Sequence, residues 1–204
     1  MAKLIPAILE KNRSGFFSKI DILRSTGLNA GHLDVMDGLA VPNTCWGNSG
    51  AVGNIGFDLE IHLMVKNPLR AAARWLDLAN VFRVIVRGEE VDDLDAYFIM
   101  AEKNPKLGLA IDPLSDIPAV FAKNAKHNYL LVMGVASGFS GQQFKPSVIG
   151  RIKRARITWP ALPIGVDGGM NEETIPAVKK LGVNAINAAS YFWRAIESGS
   201  SRSI

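Results

Sequence analysis

Short apolar runs alternate along this chain with longer segments whose apolar residues recur every three or four positions. The runs at 4–9, 31–36, 59–65, 81–86, 107–111, 129–135, 162–166 and 184–187 predict eight strands. Several are almost continuously apolar, as expected of strands covered on both faces. Amphipathic spacing predicts helices at 16–24, 69–78, 94–103, 117–123, 146–156 and 172–181, whereas the Gly-rich stretch 48–56 makes a poor helix. Pro68 and Pro146 stand at helix starts, where a missing N–H costs nothing, and Gly182 closes a helix as the residue that accepts positive φ. The strands recur about every 26 residues, a βα repeat length. Eight such units joined by right-handed crossovers close into an α/β (β/α)8 TIM barrel. A doubly wound open sheet is the structural alternative. No linker or low-complexity stretch divides the chain, so one barrel domain is predicted over residues 1–204, with a frayed tail at 198–204.

Composition narrows the class. At 48% hydrophobic and 21% charged, the 204 residues suit a globular chain and not a disordered one. No apolar run reaches the roughly 18 residues of a membrane span. Polar residues 10–13 interrupt the N-terminus too early for a signal-peptide core. The single cysteine, Cys45, forbids an intramolecular disulfide and any cysteine-based zinc site. A cytoplasmic protein with no membrane partner is expected. Net charge is +4, but the one dense basic run, 151–156, has apolar residues interleaved at helical spacing. It is predicted to be a solvated helix face, so no nucleic-acid partner is expected. A mild positive field also suits a small phosphorylated substrate.

The chemistry gathers at strand ends. His32, Asp34 and Met36 lie at alternate positions of the second strand, so all three point to one side, here the barrel interior. The third strand repeats the device with His62 and Met64, and the seventh ends in Asp167-Gly168-Gly169. Two imidazoles and two carboxylates from three strands make an N2O2 shell for a divalent cation; zinc, iron, manganese and cobalt all accept such a set. Taken singly, His32 reads more readily as a satisfied core histidine than as a ligand, Asp34 also as tied to backbone amides, and Asp167-Gly168-Gly169 equally as a turn. Met36, Met64 and Met133 read as core filling. Convergence at strand C-termini, where barrels keep their active sites, favours a site. Asp37 is expected to cap the loop that begins at Gly38.

A second set suits an anion. Ser137-Gly138-Phe139-Ser140-Gly141-Gln142 follows the sixth strand and reads as a mobile loop. Gly168-Gly169 and Ala189-Ser190 offer backbone N–H groups near helix starts, where barrels often hold phosphate.

At these residues the chain resembles the ribulose-phosphate 3-epimerase family. The resemblance runs from Pro6 to about Phe192 through His32-Leu33-Asp34-Val35-Met36-Asp37-Gly38 with Val41-Pro42-Asn43, then His62-Leu63-Met64-Val65, Val132-Met133, Gly138-Phe139-Ser140-Gly141-Gln142 and Asp167-Gly168-Gly169. It implies a barrel enzyme of carbohydrate metabolism, in the pentose phosphate pathway, that interconverts D-ribulose 5-phosphate and D-xylulose 5-phosphate around one divalent metal. By resemblance His32, Asp34, His62 and Asp167 are metal ligands, and Asp34 and Asp167 also move the proton. His62, Gly138, Phe139, Ser140, Gly141, Gly168, Gly169, Ala189 and Ser190 then bind substrate and its phosphate, while Met36, Met64 and Met133 shield the intermediate. A homo-oligomer is expected.

The sequence also departs from the family pattern. Ala7 stands where a substrate-contacting serine is usual, and Ser137 replaces a proline, which is expected to loosen the loop after the sixth strand. Arg87 replaces a frequent histidine, Asp112-Pro113 the usual Asn-Pro, and Ala189 a glycine. No ligand or catalytic carboxylate is lost. Two rival readings follow: a 3-epimerase of a hexulose 6-phosphate such as allulose 6-phosphate, for which Ala7 makes room, and a catalytically quiet barrel that binds a phosphosugar. The orotidine phosphate decarboxylase type is disfavoured, because its Asp-x-Lys-x-x-Asp pattern is absent.

Overall fold

Eight parallel strands close on themselves in the computed structural model, which describes residues 2–115 and 127–199. They are β1 (Lys3–Ile8), β2 (Ala30–Asp37), β4 (Asp58–Met64), β5 (Val81–Arg87), β6 (Leu107–Ile111), β7 (Leu130–Met133), β8 (Ile164–Asp167) and β9 (Ala185–Ala188). Each pairs with the next, and β9 pairs with β1 and β1 with β2, so the sheet has no open edge at that seam. Closure excludes the doubly wound alternative. The fold is a (β/α)8 barrel.

Each predicted strand is present, with ends moved by one or two residues. Helices α1 (Arg13–Ser25), α3 (Pro68–Leu76), α4 (Leu94–Lys103), α5 (Ser147–Thr158) and α6 (Thr174–Lys179) match predicted segments. The helix predicted at 117–123 and residues 200–204 of the tail lie outside the described residues. Helix α1 starts earlier than its apolar pattern because the Asn12 side chain accepts from Gly15 N at 2.9 Å, an N-cap that periodicity does not reveal. The stretch 48–56 contains a single turn, α2 (Ser49–Val52), capped by Asn48. Additional among the described residues are the two-residue strand β3 (Thr44–Cys45), antiparallel to the end of β2, a 3-10 turn at Gly88–Glu90, and α7 (Ser190–Glu197) after the last strand.

The core divides as a barrel requires. Outward-facing residues such as Leu33, Ile61, Val84 and Val166 pack against the helices in one large buried cluster. Inside, Ile85, Ala110, Tyr129, Leu131 and Met133 form a separate cluster. Gly165 is what admits Tyr129 there, since a Cβ at 165 would lie 1.8 Å from the phenolic oxygen. The basic run departs from its prediction. Lys153 and Arg154 are exposed, but Arg151 is buried, and Arg156 donates to the carbonyls of Pro160, Leu162 and Gly182 at 2.8–2.9 Å. Arg156 thus holds together the backbone that follows α5, which a sequence reading of charge and period alone does not distinguish from solvation.

Candidate active site

Parallel register delivers the polar groups to the same end of the barrel. Asp34 is the partner of His62 across β2 and β4, and His32 is the partner of Glu60. On the far side Asp167 pairs with Met133 and Asn187. All of these side chains point inward, because alternate residues of each strand are in the outer core. His32, Asp34, Glu60, His62, Asp167 and Asn187 are buried.

His32 presents Nε2 to Asp34 Oδ1 at 3.3 Å and to Asp167 Oδ2 at 3.8 Å. His62 presents Nδ1 to the same two oxygens at 3.0 and 3.8 Å. One ligand atom from each of the four residues lies within 4.8 Å of the others. The donors fit a divalent cation: two imidazole nitrogens and two carboxylate oxygens, buried, face one small volume.

Behind His32 sits a support that the sequence reading missed. Glu60 Oε1 lies 2.7 Å from His32 Nδ1 and accepts from Asn187 Nδ2 at 2.7 Å, while its other oxygen accepts from Arg83. The Arg83 guanidinium in turn lies 3.6 Å from the centre of the Tyr129 ring. With Nδ1 held against Glu60, Nε2 is left facing the two aspartates, the orientation a metal ligand needs.

The electrostatics separate the two aspartates. Burial disfavours the charge on each. At Asp34 the charges of and hydrogen bonds from His32 and His62 outweigh burial and hold its pKa well below the usual carboxylate range. At Asp167 burial and the nearby charge of Asp34 prevail, and its pKa is pushed up to about 6. Burial opposes a charge on His32 as well, yet Asp34, Glu60 and Asp167 together raise it well above its ordinary value. Burial acts on Glu60 too, but bonds and charges from His32 and Arg83 bring it down to about 2.

Above the aspartates a cavity opens to the C-terminal rim. Asp34 and Asp167 are on its floor with Met36, Met64 and Met133; His32 and His62 lie behind them and line no part of it. Its rim brings together Gly138, Phe139, Ser140 and Gly141 from the loop after β7, Gly168 and Gly169 after β8, and Ala189 and Ser190 at the start of α7. Leu9, Val135 and Asn187 line it as well and were not anticipated. Gly169 has φ +71°, and a Cβ there would lie 2.7 Å from Phe144 Cα, so only glycine brings this turn to the cavity. Asp37 caps its loop as expected: Oδ1 accepts from Leu39 N and Ala40 N, and Oδ2 from Lys66 N at 2.7 Å.

Ala7 is buried on the inner face of β1 as the register partner of His32. Ser137 is not an unanchored substitute for proline, since its hydroxyl donates to Asp112.

Solved structures that match this fold include a mutant tryptophan synthase alpha-subunit from Pyrococcus furiosus, with a TM-score of 0.66 at 13% identity, covering 96% of this chain and 90% of that one. Tryptophan synthase from Mycobacterium tuberculosis matches at a TM-score of 0.62 and 18% identity over 99% of this chain and 89% of the other. At that identity they bear on the fold alone. Sequence relatives go further. The ribulose-phosphate 3-epimerase of Chlamydia muridarum is 32% identical over 84% of this chain and 79% of its own length. That of Bacillus subtilis is 30% identical over 93% and 91%, and the cytoplasmic isoform of Oryza sativa subsp. japonica 29% over 97% and 90%. The family model described as ribulose-phosphate 3 epimerase matches residues 3–193, nearly the whole barrel, and the chain belongs to the ribulose-phosphate 3-epimerase family.

Proposed function

We propose that this single-domain barrel epimerises C3 of D-ribulose 5-phosphate to give D-xylulose 5-phosphate, with Asp34 and Asp167 as its two proton carriers. The observation that carries the reading is the placement of these carboxylates. They come from β2 and β8, on different sides of the barrel axis, and both reach the floor of the cavity.

Inverting a carbon beside a carbonyl requires a proton to leave one face and another to arrive on the opposite face. One carboxylate takes the C3 proton, leaving a planar enediolate, and the other returns a proton from across the plane. Each turnover exchanges the protonation states of the pair, which suits a reaction that runs in both directions. The unequal environments of Asp34 and Asp167 make Asp167 the more readily protonated of the two. His32, Asp34, His62 and Asp167 would hold a divalent cation, which would supply positive charge to offset that of the enediolate. Met36, Met64 and Met133 surround that plane with apolar, polarizable surface and keep water from it. The amides of Gly168, Gly169, Ala189 and Ser190, with the loop carrying Gly138, Phe139, Ser140 and Gly141, are assigned to the phosphate end.

The test is a coupled assay for D-xylulose 5-phosphate formation from D-ribulose 5-phosphate, with metal content measured on the same sample. The reading predicts turnover that falls with chelation and returns with about one equivalent of divalent metal per chain. A fully metal-loaded protein that turns over neither this substrate nor a hexulose 6-phosphate would contradict it.

A further inference from the structure

Arg87 and Ser137 are joined through one carboxylate, that of Asp112. Arg87 ends β5, Asp112 follows β6 directly and Ser137 lies in the loop after β7. Arg87 Nη2 donates to Asp112 Oδ2 at 2.6 Å, and the Ser137 hydroxyl donates to Asp112 Oδ1, so one carboxylate joins the other two residues. The guanidinium is held from the other side by Glu90 Oε1 at 3.1 Å and by Glu89 Oε2 at 3.5 Å. Glu89 also accepts from the Asp112 backbone N–H at 2.9 Å, and Glu90 pairs with Lys66 at 2.7 Å. The side chains of Arg87, Asp112 and Glu90 are each less than a fifth exposed, so these are not surface pairs free to rearrange in water.

Ser137 is the first residue of the loop that carries Gly138, Phe139, Ser140 and Gly141. On its other side that loop is tied to the β2 side of the mouth, where the Asn43 amide donates to the Gly138 carbonyl. Gln142 Nε2 braces it from within, donating to the carbonyls of Ala136 and Phe139 at 2.7 and 2.8 Å. The loop is thus strung between the β2 and β6 sides of the cavity, and Asp112 is the anchor on the β6 side.

We infer that Arg87, Asp112 and Ser137 act as one positioning unit that fixes the 137–142 loop over the cavity and sets affinity for the phosphorylated end of the substrate. None of the three lines the cavity, so they act through the loop and not on the reacting carbon. Arg87 orients the Asp112 carboxylate, and Asp112 takes up the Ser137 hydroxyl, so a change at one position removes the use of the others. The link to phosphate rests on the function proposed above; the link to the loop does not.

The test is a double-mutant cycle with Ser137→Ala and Asp112→Ala, read by steady-state kinetics on D-ribulose 5-phosphate and by amide hydrogen exchange across 137–142. Losing one hydrogen bond of ordinary strength is expected to raise KM about three- to tenfold, with kcat within about twofold of the parent. Exchange in the loop should quicken in each single variant, with Tm close to the parent value in Ser137→Ala and lower in Asp112→Ala, where Arg87 loses a partner. The double variant should resemble Ser137→Ala and not multiply the two effects. Ser137→Thr, which keeps the hydroxyl, should retain the parent KM and exchange. Unchanged exchange in Ser137→Ala, or effects that multiply in the double variant, would overturn the inference, as would a fall in kcat with KM unmoved. If the parent turned over no ketose phosphate, the proposed function would fail, and the exchange measurements would still decide whether the three residues hold the loop.

Discussion

Glu60 Oε1 lies 2.7 Å from His32 Nδ1, at the opposite end of the imidazole from Asp34 and Asp167. A fully buried carboxylate in the barrel interior is costly, and here it is matched by Arg83, Asn187 and the ring N–H. What the arrangement secures is the direction of Nε2.

Replacing Glu60 with glutamine tests that support. Glu60→Gln keeps the volume but removes the charge opposite Arg83 and weakens the hold on the His32 tautomer. Metal affinity is expected to fall about 10- to 100-fold, the usual cost of losing such a partner. Stability should fall as well, by about 3 kcal/mol, because the Arg83 charge loses its partner. Metal titration followed by denaturant unfolding of the metal-free protein measures both. Unchanged metal affinity would remove Glu60 from the account.

His62→Ala addresses the ligand set itself. The variant is expected to fold, to bind less than stoichiometric metal and to lose epimerase activity, since one of four donors is gone. Metal analysis beside circular dichroism checks this; full metal content in the variant would exclude His62 as a ligand.

Asp37 yields a prediction about pH. Partial burial pushes its pKa up, but the amides of Lys66, Leu39 and Ala40 outweigh burial and leave it below its ordinary 3.8. A lowered folded-state pKa means that the stabilisation is complete above about pH 4 and is lost as pH falls through the folded value. The side chain is largely exposed, so the contribution is small, under about 1 kcal/mol. Comparing the parent with Asp37→Asn by denaturant unfolding, the gap between them should shrink as pH drops below 4. A gap independent of pH would show that the Asp37 charge contributes nothing to the loop.

Asp37 also illustrates what a sequence conveys without coordinates. Its capping role follows from its place before Gly38, a local matter. The inward direction and convergence of His32, Asp34, His62 and Asp167 were likewise legible, because strand alternation fixes which face a residue occupies and a polar residue inside a barrel needs a partner. Glu60 obeyed the same alternation, two residues before His62, yet glutamate in an amphipathic run ordinarily reads as solvated. Its partners Arg83 and Asn187 come from β5 and β9, and only barrel closure and strand register bring them together. Strand β3 and the Asn12 cap were missed for a different reason: two residues carry no period, and a cap is decided by backbone geometry. The Arg87–Asp112–Ser137 contacts were invisible singly, each looking like an isolated departure.

Ala7 distinguishes the pentulose reading from the hexulose one. It is buried at the level of His32, with its carbonyl accepting from Trp193 Nε1 at 2.7 Å. If a hydroxyl there contacts substrate, Ala7→Ser should raise kcat/KM on D-ribulose 5-phosphate up to about tenfold, the worth of one hydrogen bond. If Ala7 instead makes room for a larger sugar, the same change should depress turnover of a hexulose 6-phosphate and leave the pentulose unaffected. Parallel assays on the two substrates separate the outcomes.

The central claim is that Asp34 and Asp167 carry the proton on opposite faces of C3, and isotope exchange tests it most directly. The metal-loaded protein is incubated with D-ribulose 5-phosphate in deuterated water, and deuterium at C3 is followed by proton NMR in the parent, Asp34→Asn and Asp167→Asn. The account predicts deuterium at C3 of the product formed by the parent. Each variant should lose epimerisation by at least about a thousandfold, because neither face can be served twice by one carboxylate. Epimerisation at near-parental rate in either metal-loaded variant would contradict the account.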